Sequence, residues 1–409
     1  MIKIMKKLVF TNDFLFHDFS NTGNYHGWIF DLFLPVIKSS VCCESDEFKF
    51  LKNKGKNFSR EKFFELSGIK NLEQSYFCYD FNKISDESVE YLKGYIDENI
   101  FILGIELSEN LRKILDKLNC KYINIAFHSF KLFDDLPLLF NTNDRRIFEI
   151  LGTYKIPEEK FKFYTDYWKV YLNVNKLTCT DLEANSALFV GQLTKDMSVE
   201  DKGKFYDVTD YKDYLKALCK EHSCVYYLPH PMLGKDKKKY LVSFLKQFEN
   251  VKILENRNSY AILSSPAITK VVGISSSLLY EAKYFQKKTE YLLHPLYYID
   301  SEFGLNSYIS VYNEFFTPLF WQKLLENDFE TFEGFCEENY FAFASNKFRN
   351  LKNLYWAYAD LDEVQMLKKE VSSLKKAQKH FFKIEYSMKY TTLYVFGLRF
   401  NFKRNRNAG

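Results

Sequence analysis

Nowhere in the 409 residues does an apolar run approach the ~18 residues of a membrane-spanning helix. The cysteines (Cys42, Cys43, Cys78, Cys120, Cys179, Cys219, Cys224, Cys336) never fall in the C-x-x-C spacing of a zinc site and form no compact disulfide framework. Reduced thiols in a cytoplasm are therefore expected. A secretory leader is not expected either: Leu8-Val9-Phe10 is too short for its apolar core, and Asn12-Asp13 interrupts it. The net charge of +4 is too small to argue for nucleic acid. No internal repeat or low-complexity segment is present. What remains is a globular composition, 46% hydrophobic and 27% charged, long enough for roughly two domains. Aromatic content is high at 18%, a surplus that AT-rich coding could produce, so it carries little functional weight.

The pattern along the chain is alternating strand and helix. Lys7 to Phe10 reads as a first strand, followed by a loop with Asn21, Thr22, Gly23 and Asn24 and then a helix from Trp28. That loop lacks both the P-loop lysine and the GxGxxG spacing, so it is read as one wall of an α/β cleft. Asn99 to Ile105 is a buried strand ending at Glu106. Ser108 caps a helix from Glu109 to Leu118 with Leu111, Ile114 and Leu115 on one face. A strand from Tyr122 to Phe127 follows and ends at His128-Ser129, completing a βαβ unit. Glu106 is thus either a carboxylate at a strand's ligand-facing end or an acid stabilising a helix N-terminus. His128 is expected to be structural or to orient substrate. Asp134-Asp135 could suggest a metal, but adjacent side chains point apart and no third ligand is evident, so no metal is expected.

Helix is expected over Asn143 to Tyr171 with a break at Ile156-Pro157, and an interdomain crossing over Lys176 to Asn185. A second sheet opens at Ser186 to Gln192. Cys224 to Leu228 is a strand ending in Pro229-His230-Pro231, and Val271 to Ile274 is a strand ending in Ser275-Ser276-Ser277 with a helix after it. Prolines on both sides fix the backbone that aims His230. Ligands of open α/β sheets bind outside the carboxyl ends of the strands, so the two motifs can face one crevice. Serine hydroxyls and free N–H groups at the helix start suit a phosphate or carboxylate. Each motif alone also fits an ordinary strand-end loop with a satisfied histidine. Asp360 to Lys379 carries an apolar helical stripe, and the tail Phe396 to Arg406 mixes aromatics with basic residues. It is read as a basic amphipathic surface that rests on anionic lipid or another chain, or as a packed helix with a solvated basic end.

Leu228-Pro229-His230-Pro231 followed by Gly273-Ile274-Ser275-Ser276-Ser277 resembles the His-Pro and Ser-Ser motifs of bacterial sialyltransferases and of related transferases that use CMP-activated Kdo. The stretch Leu103 to Ser108, continuing through His128 to Leu136, is similar to the retaining Kdo transferases of O-antigen and capsule synthesis. The resemblance spans about residues 100 to 282. It implies an α/β fold of GT-B type: an N-terminal Rossmann-like domain over 1–178, a CMP-sugar-binding one over 179–330, and a helical segment with a basic tail over 331–409. It implies that His230 contacts the CMP phosphate, that Ser275, Ser276 and Ser277 bind phosphate or sugar carboxylate, and that Glu106 is the catalytic acid or base. Many sialyltransferases carry paired acids and a glycine where this chain has Gly104-Ile105-Glu106-Leu107, which leaves the stereochemical course open. Retention by double displacement needs a second carboxylate. Asp196 is the candidate, with a solvated loop acid as its plainer role and Asp201 and Asp207 as rivals.

Gln192, Pro231 and Glu281 complete the expected donor site, and Asn21 to Asn24, His128 and Ser129 an expected substrate wall. No cofactor is expected. The implied function is transfer of Kdo from CMP-Kdo to a growing bacterial surface glycan, free or lipid-linked, by a cytoplasmic protein peripheral on the inner membrane. Alternatives are a sialyltransferase, a GT-B transferase using a UDP- or GDP-hexose with Glu281 on the ribose, and a non-catalytic carbohydrate-binding protein.

Overall fold

The structure is a computed structural model that describes residues 7–16, 27–43, 45–47, 52–53, 56–70, 79–255, 257–332, 348–349, 371, 382–386, 390–395 and 398–403. It divides into two compact units, Met1–Ala342 and Phe343–Gly409.

In the first unit the chain runs β1 (Lys7–Asn12), α1 (Gly27–Ser40), β2 (Ser45–Glu47), α2 (Arg60–Leu66), α3 (Asp86–Lys93), β3 (Ile100–Ile105), α4 (Glu109–Lys117), β4 (Lys121–Phe127), β5 (Leu138–Thr142), α5 (Arg145–Thr153) and α6 (Glu158–Val174). It continues with β6 (Ser186–Val190), α7 (Lys212–Glu221), β7 (Val225–Leu228), α8 (Lys235–Leu245), β8 (Val251–Ile253), α9 (Ser259–Leu263), β9 (Ile268–Gly273), α10 (Leu278–Tyr284), β10 (Lys288–Tyr291), β11 (Ile309–Val311) and α11 (Pro318–Leu325).

The first sheet has the order β11-β5-β4-β3-β1-β2. Its strands β1 to β4 are parallel, whereas β5 runs antiparallel to β4, and β11 antiparallel to β5. The second sheet has the order β8-β7-β6-β9-β10 and is parallel throughout. Strand alternation explains its two covered faces. Leu188, Val190 and Val271 pack with residues of α9 and α10. Ala187, Phe189 and Val272 pack with Leu215, Leu218, Leu241 and Leu245 of α7 and α8. This is a doubly wound sheet in the order 3-2-1-4-5.

The chain passes from the first sheet to the second between β5 and β6 and later comes back: Ile309 to Val311 pairs with Leu138 to Phe140 of the first sheet. The returning segment is fixed by aromatics, with Trp321 and Phe320 against Phe140 and Trp321 against Phe33. The helical C-terminal segment differs from expectation where it is described. Phe382–Tyr386, Tyr390–Val395 and Leu398–Lys403 form an antiparallel three-stranded sheet. Leu398-Arg399-Phe400-Asn401-Phe402-Lys403 alternates apolar and polar with period two, a strand signal that the basic character of the tail obscured. The expected helix at 360–379 lies outside the described residues, apart from Val371. Among the described residues, no helix is long and apolar enough to cross a membrane.

Candidate active site

In each sheet the polar loops sit where neighbouring strands lead away in opposite directions, the place where open α/β sheets bind ligands. In the second sheet this switch lies between β6 and β9. Gln192, just past β6, spans it: its Oε1 accepts from the Ser275 N–H at 2.8 Å, and its Nε2 donates to the Ser275 and Ser198 hydroxyls at 3.1 and 3.2 Å. Ser275 Oγ also donates to the Ser198 carbonyl. Close approach here requires glycine. A Cβ on Gly191 would lie 2.6 Å from the Tyr227 hydroxyl and 2.9 Å from the Leu228 carbonyl oxygen.

Ser275 is therefore buried and internally bonded, while Ser276 is half-buried and Ser277 exposed at the start of α10. The free N–H groups expected there are largely used. Leu278 N donates to Ser276 Oγ at 3.3 Å, and Leu279 N and Tyr280 N donate to the carbonyls of Ser276 and Ser277, both at 3.1 Å. A short helix closes its first turn with i→i+3 bonds, which leaves the serine hydroxyls, more than the backbone, as the polar face.

His230 is half-buried at the end of β7. Its Nδ1 accepts from the Met232 N–H at 3.2 Å, so the neutral ring carries its proton on Nε2. Burial holds its pKa below the ordinary value, Asp196 opposes that shift, and the Lys131 ammonium adds to it. Asp196 caps its own turn through Oδ1, which accepts from Ser198 N at 2.9 Å. Its rival Asp207 is engaged with Lys237 at 2.9 Å and with Thr209. Pro231 is exposed beside His230.

The first sheet switches between β1 and β3, and Glu106 stands at that point. Its φ of 52° places a non-glycine residue in left-handed backbone, a conformation that surrounding structure has to impose. Glu106 N donates to Ile125 O at 2.8 Å, Leu107 N to Asn124 Oδ1 at 3.0 Å, and Ser108 N to Asp13 Oδ2 at 2.9 Å. Asn124 and Asp13 are both buried. Leu107 folds back over Gly104, where a Cβ would lie 2.4 Å from its Cδ1.

Beside this turn is a cavity of about 350 Å³ whose wall includes Leu107, Arg112, Glu200, His294, Tyr297 and Tyr308. The Arg112 guanidinium donates to Asn141 Oδ1 at 2.9 Å and lies over the Tyr308 ring, and its buried Nε has no hydrogen-bond partner. Burial, then Glu106, then Tyr308 and Asp196 push the Tyr297 hydroxyl well above its ordinary pKa, so it remains a proton donor. Tyr297 thus feels carboxylates from both sheets, and Asp196 is felt by both Tyr297 and His230. Asp196 therefore acts on His230 and on Tyr297, and Glu106 on Tyr297.

Other expected residues are placed differently. His128 is buried, with Nδ1 accepting from Phe130 N at 2.8 Å and its ring stacked on Phe161. Ser129 is half-buried beside it. Glu281 is buried, and its Oε1 accepts from Lys131 N at 2.7 Å and from the Tyr260 hydroxyl at 3.0 Å, a brace between the halves. Asn21, Thr22, Gly23 and Asn24 lie outside the described residues. Among the described residues no group of three His, Cys, Asp or Glu side chains could hold a metal. Asp134 instead accepts from the Tyr164 hydroxyl, and Asp135 from Leu136 N.

Sequence reasoning missed Asp13, Asn124, Arg112, Lys131 and Tyr297. Asp13 directly follows a buried strand, which was the one local signal available for it; the others are recognisable only once the strands are paired.

Residues 91–294 match the family described as alpha-2,8-polysialyltransferase (POLYST). The matched stretch contains Glu106, Gln192, Asp196, His230 and Ser275 to Ser277. Among solved structures, the chain is similar to Thermosulfurimonas dismutans KpsC, a beta Kdo 2,7 transferase, at 15% identity and a TM-score of 0.38, covering 78% of this chain and 89% of that one. It is also similar to Methanocaldococcus jannaschii UDP-GlcNAc 2-epimerase at 11% identity and a TM-score of 0.26, covering 86% of this chain and 100% of that one. No curated protein sequence matches it.

Proposed function

We propose that this protein is a bacterial glycosyltransferase that moves a 2-keto sugar acid from its CMP ester to a hydroxyl of a surface glycan. One observation carries the proposal: Glu106 and the serine loop stand at the switch points of the two sheets, the neutral His230 ends the neighbouring strand β7, and Asp196 acts on both His230 and Tyr297, which Glu106 also acts on. The match of residues 91–294 supports sialic acid as the sugar. The likeness of Leu103 to Leu136 to Kdo transferases supports Kdo as the second choice. The two-domain GT-B arrangement belongs to the same proposal and is supported by the two sheets, one parallel throughout and the other parallel over β1 to β4.

In the proposed step the acceptor hydroxyl gives its proton to Glu106 as its oxygen bonds to the anomeric carbon. The bond from that carbon to the phosphate oxygen breaks, and CMP departs as a phosphate monoester. The His230 Nε2–H and the hydroxyls of Ser276 and Ser277 hydrogen-bond the leaving phosphate, an arrangement already set before substrate arrives. The cavity against Leu107 and Arg112 lies on the acceptor side, because its wall includes neither His230 nor the serines. If the product retains configuration, Asp196 is the proposed nucleophile; its action on the His230 ring supports it, and Asp207 is held by Lys237.

The test is incubation with CMP-sialic acid and CMP-Kdo, with CMP release and product mass followed, and anomeric analysis of the product. Consumption of one donor, lost in Glu106→Ala, supports the proposal. Consumption of neither, together with turnover of a UDP- or GDP-hexose, would overturn it.

A further inference from the structure

The loop leaving β4 passes from the first sheet into the body of the second. Phe130, Leu132 and Phe133 are buried in one cluster with Ile262, Leu278, Leu279 and Ala282. Lys131 lies between them and has no place in that cluster; its charged side chain is exposed while its backbone N–H donates to Glu281 at 2.7 Å. Glu281 is in the first turn of α10, the helix that follows the serine loop, so this bond ties the Lys131 backbone to the start of that helix. Among the described residues no carboxylate lies within ion-pair distance of the Lys131 ammonium. Its charge is felt at the His230 ring, where burial, Asp196 and Lys131 together set the protonation of the imidazole.

The strand-end motifs of the second sheet themselves offer neutral groups: Gln192, the neutral His230 ring, and the Ser276 and Ser277 hydroxyls; the loop after Gln192 adds the exposed Lys195 and the Asp196 carboxylate. A departing phosphate monoester carries nearly two negative charges and is held best where a cation joins the hydrogen-bond donors. We propose that Lys131, delivered by the first-sheet half, is a ligand of the donor's phosphate and adds positive charge to the neutral strand-end motifs of the second sheet. The proposal rests on the CMP-sugar reading above. Its consequence is that the nucleotide is bound by both halves: the strand-end motifs recognise it, and a loop from the opposite sheet neutralises it.

The experiment is calorimetric titration of CMP and of cytidine, which lacks the phosphate, into the wild-type chain and the Lys131→Gln and Lys131→Arg variants. Lys131 contributes only its backbone N–H to Glu281, so both variants keep that brace. Lys131→Gln is expected to weaken CMP about tenfold or more while cytidine is unchanged, and Lys131→Arg to recover part of the loss. Equal CMP affinity in wild type and Lys131→Gln overturns the role of Lys131 and leaves the CMP reading standing. A wild-type chain that binds UDP but not CMP sinks the CMP reading; the role of Lys131 survives only if Lys131→Gln then weakens UDP, and falls if it does not. Binding of no nucleotide by the wild-type chain removes both.

Discussion

The two ligand edges occupy equivalent places in their sheets and are held in opposite ways. The edge of the second sheet is relaxed in its backbone, with none of Gln192, His230 and Ser275 to Ser277 at positive φ: the neutral Gln192 bridges to Ser275 and Ser198, and the neutral His230 ring, with Asp196 acting on it, accepts from the Met232 N–H. At the first sheet's edge a charged residue is forced into left-handed backbone, with Glu106 at φ 52° and the flanking N–H groups anchored on Ile125, Asn124 and Asp13. A preorganised neutral network suits recognition of a nucleotide that must bind and leave. Strain held in place by buried partners suits a group whose position, more than its affinity, decides the rate.

Removing the carboxylate from the strained edge tests this contrast hardest. Glu106→Gln should cut transfer on the order of 10³-fold while CMP affinity stays within about twofold, because a positioned general base acts in the transition state alone. Glu106→Asn should be as inactive yet no less stable, and up to about 1 kcal/mol more stable, since asparagine tolerates left-handed backbone better than glutamate. Steady-state kinetics and chemical denaturation read the two effects. A Glu106→Gln enzyme with a raised donor KM and intact kcat would assign the residue to binding and dissolve the comparison.

The next largest effect belongs to the relaxed edge. His230→Ala should lower kcat on the order of 10²-fold through loss of the leaving-group hydrogen bond, with a smaller change in CMP affinity. With its pKa held below the usual histidine value, the neutral ring persists at pH 7; protonation at more acid pH displaces the Met232 N–H from Nδ1 and with it the aim of the ring, and the part of the acid limb of kcat/KM that this produces should lie below pH ~6.5 and vanish in His230→Asn. Measurement of kcat/KM from pH 5 to 8 checks it.

Much of this contrast was legible before the strands were paired. Glu106, His230 and the serines stand at strand ends, and strand ends are visible as apolar runs that stop. The antiparallel strand β5 was not, because Leu138-Leu139-Phe140-Asn141-Thr142 is too short and uniform for its period to declare a direction. Return of the chain at Ile309 to Val311 was equally hidden, since only β5 explains it. Glu281 illustrates a different limit. Its place near the serines invited a ligand role, but its fate was decided by Lys131 and Tyr260, which are remote in sequence. Long-range hydrogen bonds have no local signature.

A smaller effect separates network from contact. Gln192→Ala removes the acceptor for Ser275 N and should cost about 1–2 kcal/mol of stability and raise the donor KM about tenfold, with kcat nearly unchanged. Thermal unfolding and donor titration together decide it. A fall in kcat with no change in KM would show that the relaxed edge also positions the reacting atoms, and the division of labour between the edges would blur.

The seam between the edges gives the last test, a pair of histidines with unequal fates. His230 faces the crevice, whereas His128 is 2% exposed, stacked on Phe161, and has its pKa lowered to about 3 by burial and then by Lys283. Between pH 6.5 and about 3 the unfolded chain protonates this residue and the folded chain does not, so stability must fall as pH falls through that window. The slope approaches about 1.4 kcal/mol per pH unit, or on the order of 2 kcal/mol lost between pH 6.5 and 5. His128→Phe keeps an aromatic ring against Phe161 and removes the titrating group, so its stability should decline less steeply with acid than that of the wild type. Denaturant unfolding at pH 7, 6 and 5 measures the two slopes. Identical slopes would mean that His128 finds its proton inside the fold, and that the seam is not the dry, neutral layer that keeps the strained edge and the relaxed edge in register.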